Sequence, residues 1–525
     1  MITLSALHLK NFKKFESFDI SFNEKINILV GENESGKSTI IEAINIVLNQ
    51  LYRFSDKSAI RELFNKDCVD KFKNDPTQDN LPEILIEIEF KINADPKTVP
   101  NIERFYGCHN VSKEPKYGIR FECVIETEDI SVLASEILKG EVPFEYYSLR
   151  WTTFAGLPYS INHSIIKYLA IDTSENRGSS AISYFYKTLF MSRFSDEQRR
   201  DYRTQLHKQL DALSFAPLGE DRQFTINHSK IILENILSIS EKGIPLENRG
   251  KGMESLIKTK IAIDKKGEFI DVLSMEEPEN HLSHSTLLMM LEELSKLNSQ
   301  LIVTTHNNLI ASRLNIRNIF WINHEKAISL KEIDNKDAKF FEKIDNDNLL
   351  TFLLSKKVFL VEGATENLLL PKFYEQITGS TIEKDEITII SCHGISFKRY
   401  LSIAQNLNKS VAIITDNDRS EERIKEFENF NQQSKNIQFY VSKDTEKEWT
   451  WEASLYANNA DKLQQIINVN PKENYVLNGL SFNDKPVLWE MLRKKVESAY
   501  CLLKSDVELT IPSYIVDSCI WLKNQ

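Results

Sequence analysis

A short glycine-bounded stretch near the N-terminus constrains the fold of this chain more than any other feature. Residues 31–38 read Gly-Glu-Asn-Glu-Ser-Gly-Lys-Ser, which matches the pattern G-x-x-x-x-G-K-[ST]. An apolar run, residues 25–30, precedes it, and a mostly apolar helical pattern, residues 39–48, follows it. A buried strand, a glycine turn and a helix N-terminus together place backbone N–H groups around phosphates. We therefore predict an ATP site, whose residues are Asn33, Gly36, Lys37, Ser38 and Thr39.

Within this predicted site the polar side chains have separate tasks. Lys37 would neutralise the β- and γ-phosphates, and Ser38 would bind Mg²⁺. A chance Gly/Lys turn is the competing interpretation, and the strand and helix on either side argue against it.

The composition is that of an ordinary soluble protein with two or three domains. Of the 525 residues, 27% are charged and 41% hydrophobic, and the net charge is −11. This balance argues against a protein that coats nucleic acid by bulk electrostatics, although a local basic groove is compatible with it. The 6 cysteines include no C-x-x-C pair, which favours reduced thiols in a cytoplasm. We expect neither a signal peptide nor a membrane-spanning segment.

A glycine-punctuated turn at Gly250 and Gly252, with Glu254 as a polar residue after it, opens a predicted helix. In an ABC-type ATPase dimer, such a turn presents N–H groups and a polar side chain to the γ-phosphate held by the opposite subunit. By itself it is a common helix start, and its place in the order of motifs gives it weight.

Two carboxylates, Glu276 and Glu277, follow a predicted strand over residues 269–275. This is the Walker B arrangement, in which the first carboxylate holds Mg²⁺ and the second polarises the attacking water. Glu276 stands where Asp is commoner, and an acidic run before proline is usually a solvated loop. Another strand, residues 300–306, ends in His306. This histidine fits a switch residue that contacts the γ-phosphate, although a lone histidine at a strand end is more often structural.

The segments between these motifs predict further layers. Two strands open the chain, and alternating apolar and charged residues predict an antiparallel layer between about residues 80 and 155. From residue 188 to about residue 241 the pattern is helical and highly charged. An exposed insertion and a dimerisation arm explain that segment equally well.

Beyond residue 350, strands and helices alternate, and acidic residues follow the strands. Glu362 ends one strand, His393 and Gly394 close a second, and Asp416 and Asp418 follow a third. The carboxyl ends of parallel strands meet at one edge of a sheet, and carboxylate oxygens suit Mg²⁺ or Mn²⁺. An isolated D-x-D is usually an ordinary turn, whereas the earlier Glu-Gly at a strand end makes the set a TOPRIM pattern. Glu452, at a helix start, is the candidate for completing a second metal position.

An ABC-type ATPase with a Glu-Glu-Pro-Glu-Asn Walker B sequence, followed by E-G-x-x-E and D-x-D, resembles the OLD (overcoming lysogenisation defect) family. The resemblance implies an ATP-linked, metal-dependent DNA endonuclease, often part of bacterial anti-phage defence. The metal ligands that it implies are Glu362, Glu366, Asp416, Asp418 and Glu452, with Lys485 near the scissile phosphate. It further implies a companion in some relatives, either a helicase or a reverse transcriptase with its RNA–DNA product (a retron).

Two other functions compete with this one. A regulatory ATPase of DNA repair or maintenance could use its TOPRIM domain to bind nucleic acid or a partner without cutting. A topoisomerase or primase shares the TOPRIM fold, but the chain leaves no length for a tyrosine-bearing cleavage domain, and a primase lacks an ABC partner. The sequence does not determine which form of DNA is the substrate, and it does not exclude RNA.

We therefore expect a cytoplasmic α/β protein that forms at least a homodimer. The predicted domains are an ABC ATPase in two parts, a helical insertion between them and a C-terminal TOPRIM domain with a Rossmann-like fold. Their predicted ranges are 1–187, 188–241, 242–350 and 351–525 in chain order.

Overall fold

The computed structural model describes residues 2–53, 57–93, 99–126, 134–137, 139–172, 190, 194–219, 222–228, 231, 233–263, 270–280, 282–296, 298–323, 325–343, 346–392 and 397–525. The predicted strand start at Phe269 and the pair His393-Gly394 lie outside these residues. The chain forms two compact units, Met1–Lys331 and Glu332–Gln525, and each is described by itself. No helix among the described residues is long and apolar enough to cross a membrane.

Unit 1 is built on an antiparallel sheet and a largely parallel one. Its strands are β1 (Ile2–Phe12), β2 (Phe15–Ser21), β3 (Ile26–Val30), β4 (Ile84–Ile92), β5 (Tyr106–Gly107), β6 (Lys116–Ile125), β7 (Tyr147–Thr153), β8 (Tyr168–Asp172), β9 (Pro217–Gly219), β10 (Arg222–Gln223), β11 (Ser240–Glu241), β12 (Ile244–Pro245), β13 (Val272–Glu276), β14 (Gln300–Thr304), β15 (Ile319–Ile322) and β16 (Ala327–Ser329). Its helices are α1 (Lys37–Asn49), α2 (Lys66–Asn74), α3 (Asp196–Asp211), α4 (Leu233–Ile236), α5 (Lys251–Ile263), α6 (His284–Ser295) and α7 (Asn308–Arg313).

The antiparallel sheet has the order β2-β1-β4-β6-β5, and β7 pairs with β6. It confirms the layer predicted between residues 80 and 155. Alternate residues of β4 point to one face, where Ile84, Ile86 and Ile88 are buried. Helix α1 contacts β4 and β6 of this sheet and also β8 and β13 of the other. Because both sides of α1 are covered, nearly all of its residues are buried, and every apolar residue of the helix is among them.

The second sheet has the order β16-β15-β3-β14-β13-β8, and every pair except β15 with β16 is parallel. All residues of β13 and β14 are buried, as expected for central strands covered on both faces. The carboxyl ends of β3, β14 and β13 therefore lie side by side at one edge.

The segment predicted as a helical insertion is helical only in part among its described residues. Helix α3 begins at a capping box, in which Ser195 and Gln198 satisfy each other's backbone N–H groups. None of its residues is buried. The strand pair β9–β10 and the short helix α4 follow it.

Unit 2 is a four-stranded parallel sheet with helices around it. Its strands are β17 (Lys357–Val361), β18 (Ile387–Ser391), β19 (Ser410–Ile414) and β20 (Ile437–Tyr440), and β21 (Val476–Leu477) and β22 (Leu480–Ser481) form a separate hairpin. Its helices are α8 (Asn335–Lys343), α9 (Asn346–Leu354), α10 (Ala364–Thr378), α11 (Phe397–Leu407), α12 (Glu421–Gln433), α13 (Trp451–Ile466), α14 (Pro486–Arg493), α15 (Lys495–Lys504) and α16 (Ser513–Lys523).

The strand order of this sheet is β18-β17-β19-β20. The chain leaves β17 towards β18 on one side and later returns to β19 on the other side. The sheet therefore has a topological switch point between β17 and β19, where α/β sheets commonly bind ligands. This parallel sheet with flanking helices confirms the predicted α/β class of the C-terminal part.

A charged cluster on the antiparallel sheet gives a pH-dependent prediction. His8 Nδ1 lies 2.6 Å from Asp19 Oδ1 and Nε2 lies 3.3 Å from Glu89 Oε1. The hydrogen bond to Glu89, with that to Asp19, raises the pKa of His8 from 6.5 to about 9, although burial opposes the shift.

Because the folded-state pKa is the higher one, protonated His8 stabilises the fold fully below pH 6.5, and this contribution is lost as the pH rises through 9. We expect thermal stability to fall more steeply between these pH values in the wild type than in His8→Gln. Melting curves of the two proteins across this range test it, and parallel pH dependences would contradict it.

Candidate functional site

The loop between β3 and α1 has the backbone shape of a phosphate cradle. Glu34 and Gly36 have positive φ angles of 64° and 102°. A Cβ at Gly36 would lie 2.2 Å from Cζ of the buried Phe15 ring, so only glycine fits there. Asn33 is exposed on this loop. In the first turn of α1, Ser38 is exposed and Thr39 is buried.

Lys37 is the first residue of α1, directly after the loop, and is 6% exposed. Its Nζ donates hydrogen bonds to the carbonyl oxygens of Gly31 and Glu32, both at 2.8 Å. Burial lowers the pKa of Lys37 to about 8, and the carboxylates of Glu277 and Glu32 oppose this shift. The lysine is thus desolvated and held by neutral carbonyls, and phosphate oxygens would be stronger acceptors for it.

The predicted Walker B and switch residues lie beside this lysine. Glu276 is buried at the end of β13. Glu277 follows with φ 42°, and its N–H donates to the Thr304 carbonyl of the neighbouring strand β14 at 3.0 Å. His306 Nε2 is 3.8 Å from Glu277 Oε1. Burial and then the charge of Lys37 lower the pKa of His306, and the carboxylate of Glu277 opposes this shift.

Glu279 is a residue that the sequence analysis did not assign. Its Oε1 accepts hydrogen bonds from Thr305 Oγ1 at 2.7 Å and from the His306 N–H at 2.9 Å. It ties the loop after β13 to the loop that carries the histidine. Burial raises the pKa of this carboxyl. Glu279 belongs to the Glu-Glu-Pro-Glu sequence, but nothing in the sequence indicates that it accepts hydrogen bonds from Thr305 and His306.

The turn at Gly250 and Gly252 opens α5 as predicted, and a Cβ at Gly250 would meet open space. Glu254, which the sequence prediction offered to a partner's γ-phosphate, is buried instead and pairs with Lys258 one turn later. The turn can therefore offer its backbone N–H groups to a partner's γ-phosphate, but not the side chain of Glu254.

In unit 2 the predicted acidic residues meet at the switch point between β17 and β19. Glu362, directly after β17, accepts hydrogen bonds at Oε1 from the Thr415 hydroxyl and from the Asp416 N–H, the latter at 3.1 Å. Asp416 Oδ1 accepts from the N–H of Trp451 at the start of α13, at 2.8 Å. The N-terminus of α13 therefore orients Asp416 towards the carboxylate that follows the neighbouring strand.

The deeper carboxyls of this group repel one another. Burial raises the pKa of Asp416 well above its usual range, and Glu362, Glu366 and Glu452 raise it further. Burial, and then the charges of Glu452 and Glu362, raise the pKa of Glu366 to about 7. Glu452 is 2% exposed, and the charged group at its Oε2 is Lys495 Nζ, at 3.2 Å. Crowded, desolvated carboxylates of this kind are stabilised by a hard divalent cation, so the residues present fit Mg²⁺ or Mn²⁺.

The lysine at this cluster is Lys495, which the sequence analysis did not select. Its Nζ lies 3.2 Å from Glu452 Oε2. Burial lowers the pKa of Lys495, but Glu452 and Asp416 outweigh it and the net shift is upward. Lys485, the lysine predicted at this place, precedes α14, and the hydrogen bonds described for it involve its main chain. Lys495 is the first residue of α15 and belongs to no recognisable motif, so the sequence gives no indication that it lies near the carboxylates.

Asp418 is the exposed member of the set, and it points to Arg423 of α12. Between the two aspartates, Asn417 is 1% exposed and donates from Nδ2 to the carbonyls of Ser442, Asp444 and Glu448. Asn417 thus fixes the loop that carries both aspartates. Within the described part of the chain, no three His, Cys, Asp or Glu side chains lie close enough to enclose one ion.

Two protein families match separate parts of the chain. Residues 2–209 match an AAA ATPase domain, and residues 353–418 match the TOPRIM domain of overcoming lysogenization defect-like proteins. The first range includes Lys37 and the second includes Glu362, Glu366, Asp416 and Asp418. Glu276, His306, Glu452 and Lys495 lie outside both ranges.

Curated relatives match over a short stretch. The DNA replication and repair protein RecF of Bacillus thuringiensis (strain Al Hakam) is 39% identical over 44 residues, 8% of this chain and 12% of the relative. RecF of Bacillus cereus (strain B4264) matches to the same extent. The chain therefore covers far less than two thirds of these relatives.

Solved structures are similar at low identity. The C-terminal region of the Xanthomonas campestris pv. campestris OLD protein is 21% identical, with a TM-score of 0.25, 32% of this chain covered and 93% of that one. RecF-ATP from the RecFOR pathway is 11% identical, with a TM-score of 0.33, 62% of this chain covered and 99% of that one. Scores this low add no support beyond the family matches. An ATPase domain followed by an OLD-like TOPRIM domain is what the chain contains, and this combination fits an OLD-family ATPase–TOPRIM protein.

Proposed function

We propose that this protein is an ATP-binding and ATP-hydrolysing, metal-dependent DNA endonuclease. The observation that carries the proposal is the position of Asp416 at the switch point of the parallel sheet. It is half-buried, Glu362, Glu366 and Glu452 act on it electrostatically, and Lys495 is one cation beside this group. Desolvated carboxylates next to a lysine can hold metal ions and a phosphodiester at one place.

The candidate metal ligands are Glu362, Glu366, Asp416, Asp418 and Glu452. When bound there, two Mg²⁺ or Mn²⁺ ions would supply an activated water and neutralise the leaving oxygen. The chain's own groups orient these ligands. Thr415 and the Asp416 N–H hold Glu362, the N–H of Trp451 holds Asp416, and Asn417 fixes the loop between the aspartates. Lys495 lies where its charge can attract a phosphate.

The ATPase site is separate, since its residues belong to unit 1. Lys37 would bind the β- and γ-phosphates and Ser38 and Glu276 would hold Mg²⁺. Glu277 would polarise the attacking water, with His306 at the γ-phosphate. The N–H groups of the turn at Gly250 and Gly252 would complete this site from a second copy of the chain, so we propose a homodimer or a larger homo-oligomer.

A role in anti-phage defence, and a companion such as a helicase or a reverse transcriptase with its RNA–DNA product, belong to the same proposal. The alternative is a regulatory ATPase of DNA repair or maintenance whose TOPRIM domain binds nucleic acid without cutting. A plasmid cleavage assay with Mg²⁺ or Mn²⁺, with and without chelator, separates the two. Cleavage that stops with the chelator supports the nuclease, and no cleavage with either metal favours the alternative.

Glu277→Gln is expected to trap the ATP-bound protein. The change removes the carboxylate near His306 but keeps Glu276, so ATP should bind while hydrolysis slows by about two to three orders of magnitude. Light scattering with ATP should then show an accumulated dimer.

The matched variant is Glu276→Gln, which removes the proposed Mg²⁺ ligand and should bind ATP weakly. If Glu276→Gln traps the dimer and Glu277→Gln does not, the two roles are reversed. Monomers in every condition would contradict the shared site.

A further inference from the structure

Arg423 joins two of the candidate metal ligands, yet the proposed chemistry does not use it. It lies in the first turn of α12. One guanidinium nitrogen, Nη2, is 3.3 Å from Glu362 Oε1 and 3.0 Å from Thr415 Oγ1. The other, Nη1, donates to Asp418 Oδ2. A single planar cation thus connects the carboxylate that follows β17 to the carboxylate that follows β19.

The surroundings of Arg423 hold it in this position. The side chain is only 20% exposed. Its Cζ lies 5.6 Å from the ring centroid of Phe427, one turn later on α12, and Phe427 is stacked on Phe439 at 4.4 Å. A guanidinium with an aromatic ring on one side and two carboxylates on the other has few alternative rotamers. Arg423 is therefore held in a defined position within the cluster and is not a solvent-exposed, mobile arginine.

Arg423 and a divalent ion would compete for the carboxylate oxygens of Glu362 and Asp418. A guanidinium has only donors, so it cannot be a metal ligand, and its positive charge repels a cation. The described carboxylates do not enclose an ion as they lie, and Asp418 is turned to Arg423. For Asp418 to coordinate an ion through Oδ2, its hydrogen bond to Arg423 must open.

We propose that Arg423 is the resident counter-cation of this cluster. It holds Glu362 and Asp418 together when no metal is bound, and it competes with the divalent ion for them. This inference rests on the metal centre of the proposed function, but not on DNA cleavage.

Calorimetric titration of the full chain with Mn²⁺, without DNA or ATP, tests the competition directly. We expect Arg423→Gln to bind Mn²⁺ about tenfold more tightly than the wild type, because a charge-assisted competitor is gone. In chelator the same variant should melt at a lower temperature, since Glu362 and Asp418 lose their counter-charge. Lys425→Gln is the matched control, an exposed lysine on the same helix, and it should change neither quantity.

Unchanged or weaker Mn²⁺ binding in folded Arg423→Gln overturns the proposal. Arg423→Lys keeps the charge but not the planar fork, and should tighten binding by roughly two- to threefold. If Arg423→Gln does not fold, no tightening in Arg423→Lys overturns the proposal instead. A wild type that binds Mn²⁺, loses it in Asp416→Asn and cuts no DNA would refute the nuclease, while tightening in Arg423→Gln would still support this inference.

Discussion

Asp416→Asn is expected to reduce metal-dependent DNA cleavage by at least about a thousandfold, because it removes the candidate metal ligand that interacts with Glu362, Glu366 and Glu452. Asp416 is a half-buried member of the cluster, and the substitution keeps its size and its ability to accept the hydrogen bond from the Trp451 N–H. The measurement is the rate of plasmid cleavage with Mg²⁺ or Mn²⁺. ATP binding should be unchanged, since Asp416 lies in the other unit from Lys37.

Stability in chelator distinguishes this loss from unfolding. The charges of Glu362, Glu366 and Glu452 and its own burial raise the pKa of Asp416, so a neutral side chain relieves repulsion. Asp416→Asn should therefore melt at the wild-type temperature or above it. Asp461→Asn, an exposed position on α13, is the matched control and should cut normally. Cleavage at the wild-type rate by Asp416→Asn would mean that the TOPRIM domain is not the nuclease.

Lys37→Ala is expected to weaken ATP binding by about 2–4 kcal/mol, or roughly 30- to 700-fold, because it removes the cation that the β- and γ-phosphates would contact. The Nζ now donates to the carbonyls of Gly31 and Glu32 at the point where the loop would hold phosphate. Titration calorimetry with ATP and Mg²⁺ measures the loss.

Lys25→Ala is the matched control for this prediction. It removes an exposed lysine just before β3, so the net charge changes equally while the loop is untouched. Circular dichroism should show the wild-type secondary structure in both variants. Equal ATP affinity in Lys37→Ala and the wild type would remove the support for the nucleotide site.

The motifs that the sequence revealed are local ones. The phosphate loop works through consecutive residues between one strand and one helix, so Lys37 and Gly36 could be recognised by spacing alone. Glu276 is the last residue of an apolar strand, and His306, Glu362 and Asp416 each come shortly after one. Because parallel strands end at a common edge, their neighbourhood could be predicted without knowing the strand order.

The residues that sequence reasoning missed act across distant parts of the chain. Arg423 reaches Glu362 across a sequence separation of 61 residues, and Lys495 reaches Glu452 from a different helix. Neither belongs to a motif, and an arginine or lysine near a helix start is usually a solvated charge. Lys485 was selected by resemblance, and Glu254 by its place in a glycine turn. Packing then placed Lys495 at the cluster and buried Glu254 against Lys258.

By itself, the sequence determined the α/β class, the order of the ATPase and TOPRIM parts and the strand ends that carry the candidate site residues, because these depend on the period of apolar residues and on short-range turns. The tertiary structure alone decided which cations face the carboxylates and how strongly those carboxylates repel one another. Both depend on burial and on distances between side chains far apart in sequence. An ion pair or a shifted pKa exists only once the sheet has brought its strand ends together and packing has excluded water from them.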